Sequence, residues 1–215
     1  MPSGVKGRRP YRSPKREAQA AATRTDILDA AHAMFVERGY AGASLAEIAH
    51  AAGVSLPTVK LVFGTKPALL TAVWDRAVKG GDDVRPVVDQ PWFRELVASP
   101  DPRRHLELQA RAGTSVKARI APLVDVIRAA APSDPEIAAL WAKMQAEFYD
   151  NQLATIRALR RKAPLREGRT EQQATDILWT LNHPSVYQLL VAERGWSPER
   201  YERWLAATLS EQLLG

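Results

Sequence analysis

Cysteine is absent from the 215 residues, which excludes a disulfide framework, a thiolate metal site and a thiol redox sensor. Histidine is scarce. His32, His50, His105 and His183 are scattered, and none has a second histidine or a carboxylate at metal-ligand spacing. No run approaches the roughly 18 uninterrupted apolar residues of a membrane helix, and the basic N-terminal stretch is followed by no apolar core of the kind that marks a secretory signal. Also missing are a G-x-S-x-G elbow, a P-loop, a dinucleotide fingerprint and strand-like alternation bounded by turns. These absences leave no catalytic residue, metal ligand or cofactor to assign, argue against a membrane partner and make the cytoplasm the expected compartment.

What is present is charge of one sign at one end. The first 80 residues hold 12 Lys and Arg against 6 Asp and Glu, so the whole net charge of +6 falls there and the remainder is neutral. A basic third joined to a neutral remainder suits a DNA-binding head on a DNA-free body, because phosphate neutralisation supplies the sequence-independent part of affinity. A solvated basic tail would show the same asymmetry. Lys6, Arg8, Arg9, Arg12, Lys15 and Arg16 lie in a Gly-, Pro- and Ser-containing stretch with little apolar content, so residues 1–23 read as a flexible basic arm. Within it, Gly7-Arg8-Arg9-Pro10 could place an arginine in a minor groove.

Residues 24–70 carry three short helices and the start of a fourth. Ile27, Ala31, Met34 and Phe35 recur at helical spacing until Gly39, which can end the helix in a left-handed cap. Ser44 and Glu47 have capping-box spacing and open a second helix with Leu45, Ile48, Ala49 and Ala52. Gly53 supplies a turn, Val54 a buried plug, and Ser55 can cap a third helix with Pro57 in its first turn. Val59 and Phe63 then face the core, which leaves Leu56, Pro57, Thr58, Lys60 and Leu61 to meet a DNA groove and its phosphates.

This segment is similar to the DNA-binding domain of the TetR/AcrR family of bacterial one-component regulators: IL-AA--F-E-GY, then S-AEIA--AGVS, then T-V---F-TK--LL. Two positions depart from the family pattern, which usually has Tyr at Lys60 and His or Tyr at Val62. The family tyrosine often contacts a phosphate, a contact that Lys60 would replace with a point charge. The DNA-binding candidates are therefore Ser44, Leu56, Pro57, Thr58, Lys60, Leu61 and Lys66. Ser44 and Thr58 would bond phosphates at helix N-termini, the lysines would pair with phosphates, and the apolar residues would make groove contacts.

The resemblance implies an all-α fold: a helix-turn-helix domain over residues 24–66 and a larger helical ligand-binding and dimerisation domain over 67–215. Helix signals continue along that body. Thr65-Lys66-Pro67 opens a helix that Gly80-Gly81 ends, and Pro91 and Pro100 bracket another. Residues 103–131 read as helical with a kink at Pro122, and Ser133-Asp134-Pro135-Glu136 starts a further helix. Three segments separated by His183-Pro184 and by Gly195-Trp196-Ser197-Pro198 follow in the C-terminal third.

The family's terminal helices pack as an intermolecular four-helix bundle, which makes Trp179, Leu189, Leu190, Trp204, Leu205, Leu209 and Leu213 candidate interface anchors. Periodicity names an apolar face without naming its partner, so an intramolecular core stays open for each. Leu108, Trp141, Met144, Gln145, Phe148 and Trp179 are candidates for a pocket in the body, or equally for plain core. The implied function is a dimeric, ligand-responsive transcriptional repressor that binds a pseudo-palindromic double-stranded operator. A small apolar effector, expected to be neutral because no repeated charge pattern marks the body, would release it. A constitutive architectural DNA-binding protein and, further off, a helical enzyme are the alternatives.

Overall fold

The computed structural model describes residues 14–81 and 89–215. Lys6, Arg8, Arg9, Arg12 and the Gly7–Pro10 stretch, proposed for a minor groove, lie outside the described residues. The chain runs through α1 (Pro14–Gly42), α2 (Leu45–Ala51), α3 (Leu56–Phe63), α4 (Lys66–Lys79), α5 (Pro91–Ala98), α6 (Pro102–Ala130), α7 (Pro135–Arg160), α8 (Glu171–Leu181), α9 (Pro184–Tyr187), a π-helical turn (Gln188–Glu193) and α10 (Pro198–Leu213). Among the described residues there is no strand.

Most of these helices begin where the sequence carries a cap. Ser44, Ser55, Thr65, Asp101, Asp134, Thr170 and Ser197 each accept a backbone N–H of the following turn, and a proline lies at the first or second position of α3, α4, α6, α7 and α10. The arm expected over residues 1–23 is corrected at its C-terminal end, because residues 14–23 already belong to α1. The reason is the run Ala18-Gln19-Ala20-Ala21-Ala22, whose helix propensity outweighs the nearby basic charges. Gly39 interrupts α1 at φ 71° and ψ 175°. That is a glycine-only region of the map rather than the left-handed cap expected there.

Two apolar cores hold the molecule. The first joins Ile27, Ala31 and Phe35 of α1 to Ile48, Val59 and Phe63 of the next two helices. It then runs without a break through Leu69, Leu70 and Val73 of α4 to Ile120, Val124 and Ile127 of α6 and to Ile137 and Met144 of α7. The boundary expected near residue 66 therefore marks no gap in packing. The second core gathers Leu106, Ile156, Leu159, Leu178 and Tyr201 together with Leu205, Leu209 and Leu213. Those last three leucines are fully inaccessible within one protomer, which corrects their assignment as interface anchors: α10 turns this stripe onto α6 and α8 of its own chain. Each such leucine gains about 1.5–3 kcal/mol from burial in its own chain, and at 0 % exposure none has surface left for a second chain to bury. No single helix among the described residues is long and apolar enough to cross a membrane.

Candidate nucleic-acid interface and effector cavity

The helices α2 and α3 meet at 107°, within the range of a helix-turn-helix. Gly53, at φ 67°, makes the turn between them. Val59 is 1 % exposed and Phe63 9 %, so α3 is anchored by one face. On the opposite face Leu61 is 87 % exposed, with Pro57 and Lys60 exposed beside it.

The remaining expected contacts are more constrained. Leu56 is half-buried and packs against the core, as do Val54, expected as a buried plug, and Val62. Ser44 is closed into its capping box: its hydroxyl donates to Glu47 Oε2 at 2.6 Å and accepts from the Glu47 backbone N–H at 3.2 Å. The Ser44 hydroxyl and then the Ser44 backbone N–H, which both donate to Glu47 Oε2, hold that carboxyl below the usual range. Thr58 Oγ1 lies 2.8 Å from Ser55 Oγ. Lys66 sits 4.3 Å over the Tyr40 ring, and its amine is pushed down by burial. That ammonium thus belongs to the seam between head and body. Arg24 is stacked 4.5 Å over Phe63.

The seam has two fastenings. Tyr40 donates its hydroxyl to Asp134 Oδ2 at 2.8 Å, and Asp134 is itself the N-cap of α7. Burial first, then this bond, raises the Tyr40 hydroxyl well above its ordinary value, while the same bond lowers the Asp134 carboxyl. Further along, Arg119 of α6 donates to the carbonyls of Ala77 and Val78 at 2.9 and 3.4 Å and so holds the last turn of α4.

Between α4, α5, α6 and α7 lies a cavity of about 530 Å³, within the size range of small-molecule sites. Of the residues named from the sequence, Leu108, Met144, Gln145 and Phe148 line it. Trp141 and Trp179 do not. Trp141 packs on the head-side core, and Trp179 stands behind Phe148 and His183 with ring centroids 6.4 and 5.0 Å away. Sequence reasoning missed Trp92 and Phe93 and a polar group of Gln109, Lys117, Gln152 and Asn182, all of which line the cavity. Asn182 Nδ2 donates to Gln152 Oε1 at 3.0 Å, and Gln109 Nε2 reaches the same oxygen at 3.4 Å. Lys117 donates to Asn182 Oδ1. The available signal was register, since Gln109, Gly113 and Lys117 follow one another at four-residue steps alongside the buried Leu106, Ala110 and Ile120.

Among the described residues no group of three or more His, Cys, Asp or Glu side chains could hold a metal ion. Of the expected interface residues, Leu189 is 52 % exposed, and Trp179, Leu190 and Trp204 are half-buried.

Residues 27–73 match the family described as bacterial regulatory proteins, tetR family. No curated protein matches the sequence significantly. Solved structures match over nearly the whole chain. A transcriptional regulator from Saccharomonospora viridis in complex with choline has a TM-score of 0.70 at 20 % identity, covering 91 % of this chain and 99 % of that one. NalD, the secondary repressor of the MexAB-OprM multidrug efflux pump in Pseudomonas aeruginosa, gives 0.69 at 23 % identity, with coverage of 91 % and 98 %. A TetR-family regulator from Mesorhizobium loti gives 0.67 at 21 %, with 90 % and 96 %. Residues 27–73 thus carry the helix-turn-helix of the bacterial tetR-family regulatory proteins, and the helical body is similar in fold to solved TetR-family transcriptional regulators.

Proposed function

We propose that the protein is a homodimeric, ligand-responsive repressor whose α3 enters the major groove of each half of a pseudo-palindromic operator. One observation carries the reading: the core that anchors α3 through Val59 and Phe63 continues unbroken to Met144, a residue of the cavity wall. A ligand that fits only one arrangement of α6 and α7 therefore shifts the heads by its differential affinity for the two states, and DNA weakens that ligand reciprocally. The choline found in the Saccharomonospora viridis regulator supports a body that accepts small molecules. In the head, Leu61 and Pro57 take apolar groove contacts and Lys60 a phosphate. Leu189, Leu190, Trp179 and Trp204, each with surface left uncovered in the protomer, take the dimer contact. The repressor role is by analogy of fold to NalD.

The test is to select bound fragments from the source genome and to measure operator affinity against a chemically varied effector panel. A pseudo-palindrome released by at least one compound is the expected result. An operator whose affinity no compound or source-cell extract changes would leave a constitutive DNA-binding protein.

A further inference from the structure

The cavity holds a buried cation that lacks a counter-ion. Lys117 is 2 % exposed, and its hydrogen-bond acceptor is the uncharged Asn182 Oδ1. The Tyr201 ring lies 5.3 Å from Nζ. Among the described residues no carboxylate pairs with it. Glu95 and Glu147, which line the same cavity, are both exposed, and Glu147 is 3.6 Å from Lys143. The niche is made by Gly113, where a Cβ would stand 2.9 Å from Lys117 Nζ and 2.6 Å from Asn182 Oδ1. Asn182 is fixed in turn by Gln152, and these two with Gln109 are each no more than 5 % exposed. The fold thus builds a polar wall around one ammonium, while Trp92, Phe93, Leu108, Ile120, Met144 and Phe148 supply apolar surface elsewhere in the cavity.

An ammonium has three donors, and one amide acceptor with a ring face does not compensate for a buried positive charge. A negative ligand does. We propose that the cavity is a site for an apolar monocarboxylate, whose carboxylate becomes the counter-ion of Lys117 and whose hydrocarbon lies against Leu108, Met144 and Phe148. One buried lysine matches one negative charge, and a quaternary ammonium would meet a like charge. Burial, which pushes the Lys117 amine down to about 7 in the empty cavity, would be countered by the bound carboxylate, which favours the charged form. The proposal rests on the effector reading above and names the class of effector, replacing a neutral molecule with an acid.

Decanoate, decan-1-ol and decyltrimethylammonium share a chain and differ in head group. Titrated into the full-length protein at pH 7 below their micellar concentrations and followed by tryptophan fluorescence, decanoate is expected to bind at least tenfold tighter than the alcohol, with the ammonium weaker still. Lys117→Met is expected to lose at least tenfold in decanoate affinity and to keep its affinity for the alcohol. Lys117→Gln, verified to unfold cooperatively, makes the same comparison if the methionine variant does not fold. Absence of decanoate binding up to millimolar concentration, a wild-type preference for alcohol or ammonium, or a folded variant that binds decanoate as tightly as wild type overturns the proposal. Operator binding separates the two readings. Decanoate held through Lys117 without any change in operator affinity keeps the site and removes its effector role. A neutral ligand that releases wild type and Lys117→Met equally keeps the effector role and removes the carboxylate site.

Discussion

Lys60 and Leu61 are neighbours on α3, yet each loses something different when replaced. An exposed lysine facing a phosphate contributes charge without sequence information. Lys60→Ala should therefore weaken binding to operator and unrelated duplex alike and lower the salt dependence by about one counterion, as filter binding across a salt series would show. An unchanged slope with altered base preference would place Lys60 on a base edge instead. Lys117 makes the opposite kind of prediction, on stability rather than binding. Burial holds its amine at about 7, below the ordinary lysine value of 10.5, so between those pH values the unfolded chain binds a proton that the folded chain does not. Stability should rise with pH across that window, by up to about 1.4 kcal/mol per unit, and the rise should be absent from Lys117→Met. Tyr201 and His183 are titratable groups near it; Lys117 contributes to holding the His183 imidazole below its ordinary value, so the two denaturation series are compared above pH 7, where their difference reads the lysine. At this scale the sequence showed which residues are apolar and periodic, which was enough to find Val59, Phe63 and Met144. It did not show Lys117 as a cavity residue, because charge normally marks a solvated face and only its register with Leu106, Ala110 and Ile120 says otherwise.

Helix starts were legible because they are chemical. A hydroxyl or carboxylate followed by a free backbone N–H reads the same in one dimension as in three: Ser44, Ser55, Thr65 and Asp134 cap helices where the sequence signals their starts, and Ser197, read only as part of a break, caps α10. The start of α1 was missed although Ser13-Pro14 has the same form as Ser197-Pro198, because the basic charges around it read as an arm, and alanines carry the helix through them. Contacts between elements were not legible at all. Tyr40 and Asp134 are 94 positions apart, and nothing local in either segment points to the other. Their bond joins the end of α1 to the start of α7, so Tyr40→Phe should leave the head folded and its operator affinity without effector close to wild type. The ratio of affinities with and without effector should shrink by roughly 2- to 30-fold, the range seen for residues along a coupling route. An unchanged ratio would mean that the signal passes instead through α4 and its Arg119 clasp.

For the whole molecule, a two-fold assembly would have to use what the protomer leaves uncovered. Removing everything after Gly168 would strip Tyr201, Leu205, Leu209 and Leu213 from the second core and unfold the body, so truncation cannot test assembly. Leu189→Glu can, because a side chain 52 % exposed is not needed for the fold. It should give a folded monomer by sedimentation with much weakened operator binding, since each half-site then binds alone. A variant that remains dimeric would move the interface away from this turn. The sequence identified the apolar stripe of α10 but not its partner, and in one dimension a stripe that faces its own chain is identical to one that faces a second copy.

The unbroken first core limits how such regulators can be recombined. A head cut out at residue 66 and placed on a foreign body would lose the surface offered by Ile120, Val124 and Ile127, against which α1 and α4 are packed. Ile27 and Phe35 of α1 would then meet side chains shaped for another partner. Chimeras that exchange operator specificity should tolerate a junction on the exposed face of α3 better than one between α3 and α4, so changes of DNA target in this lineage are expected to proceed by substitution along α3 rather than by exchange of whole heads.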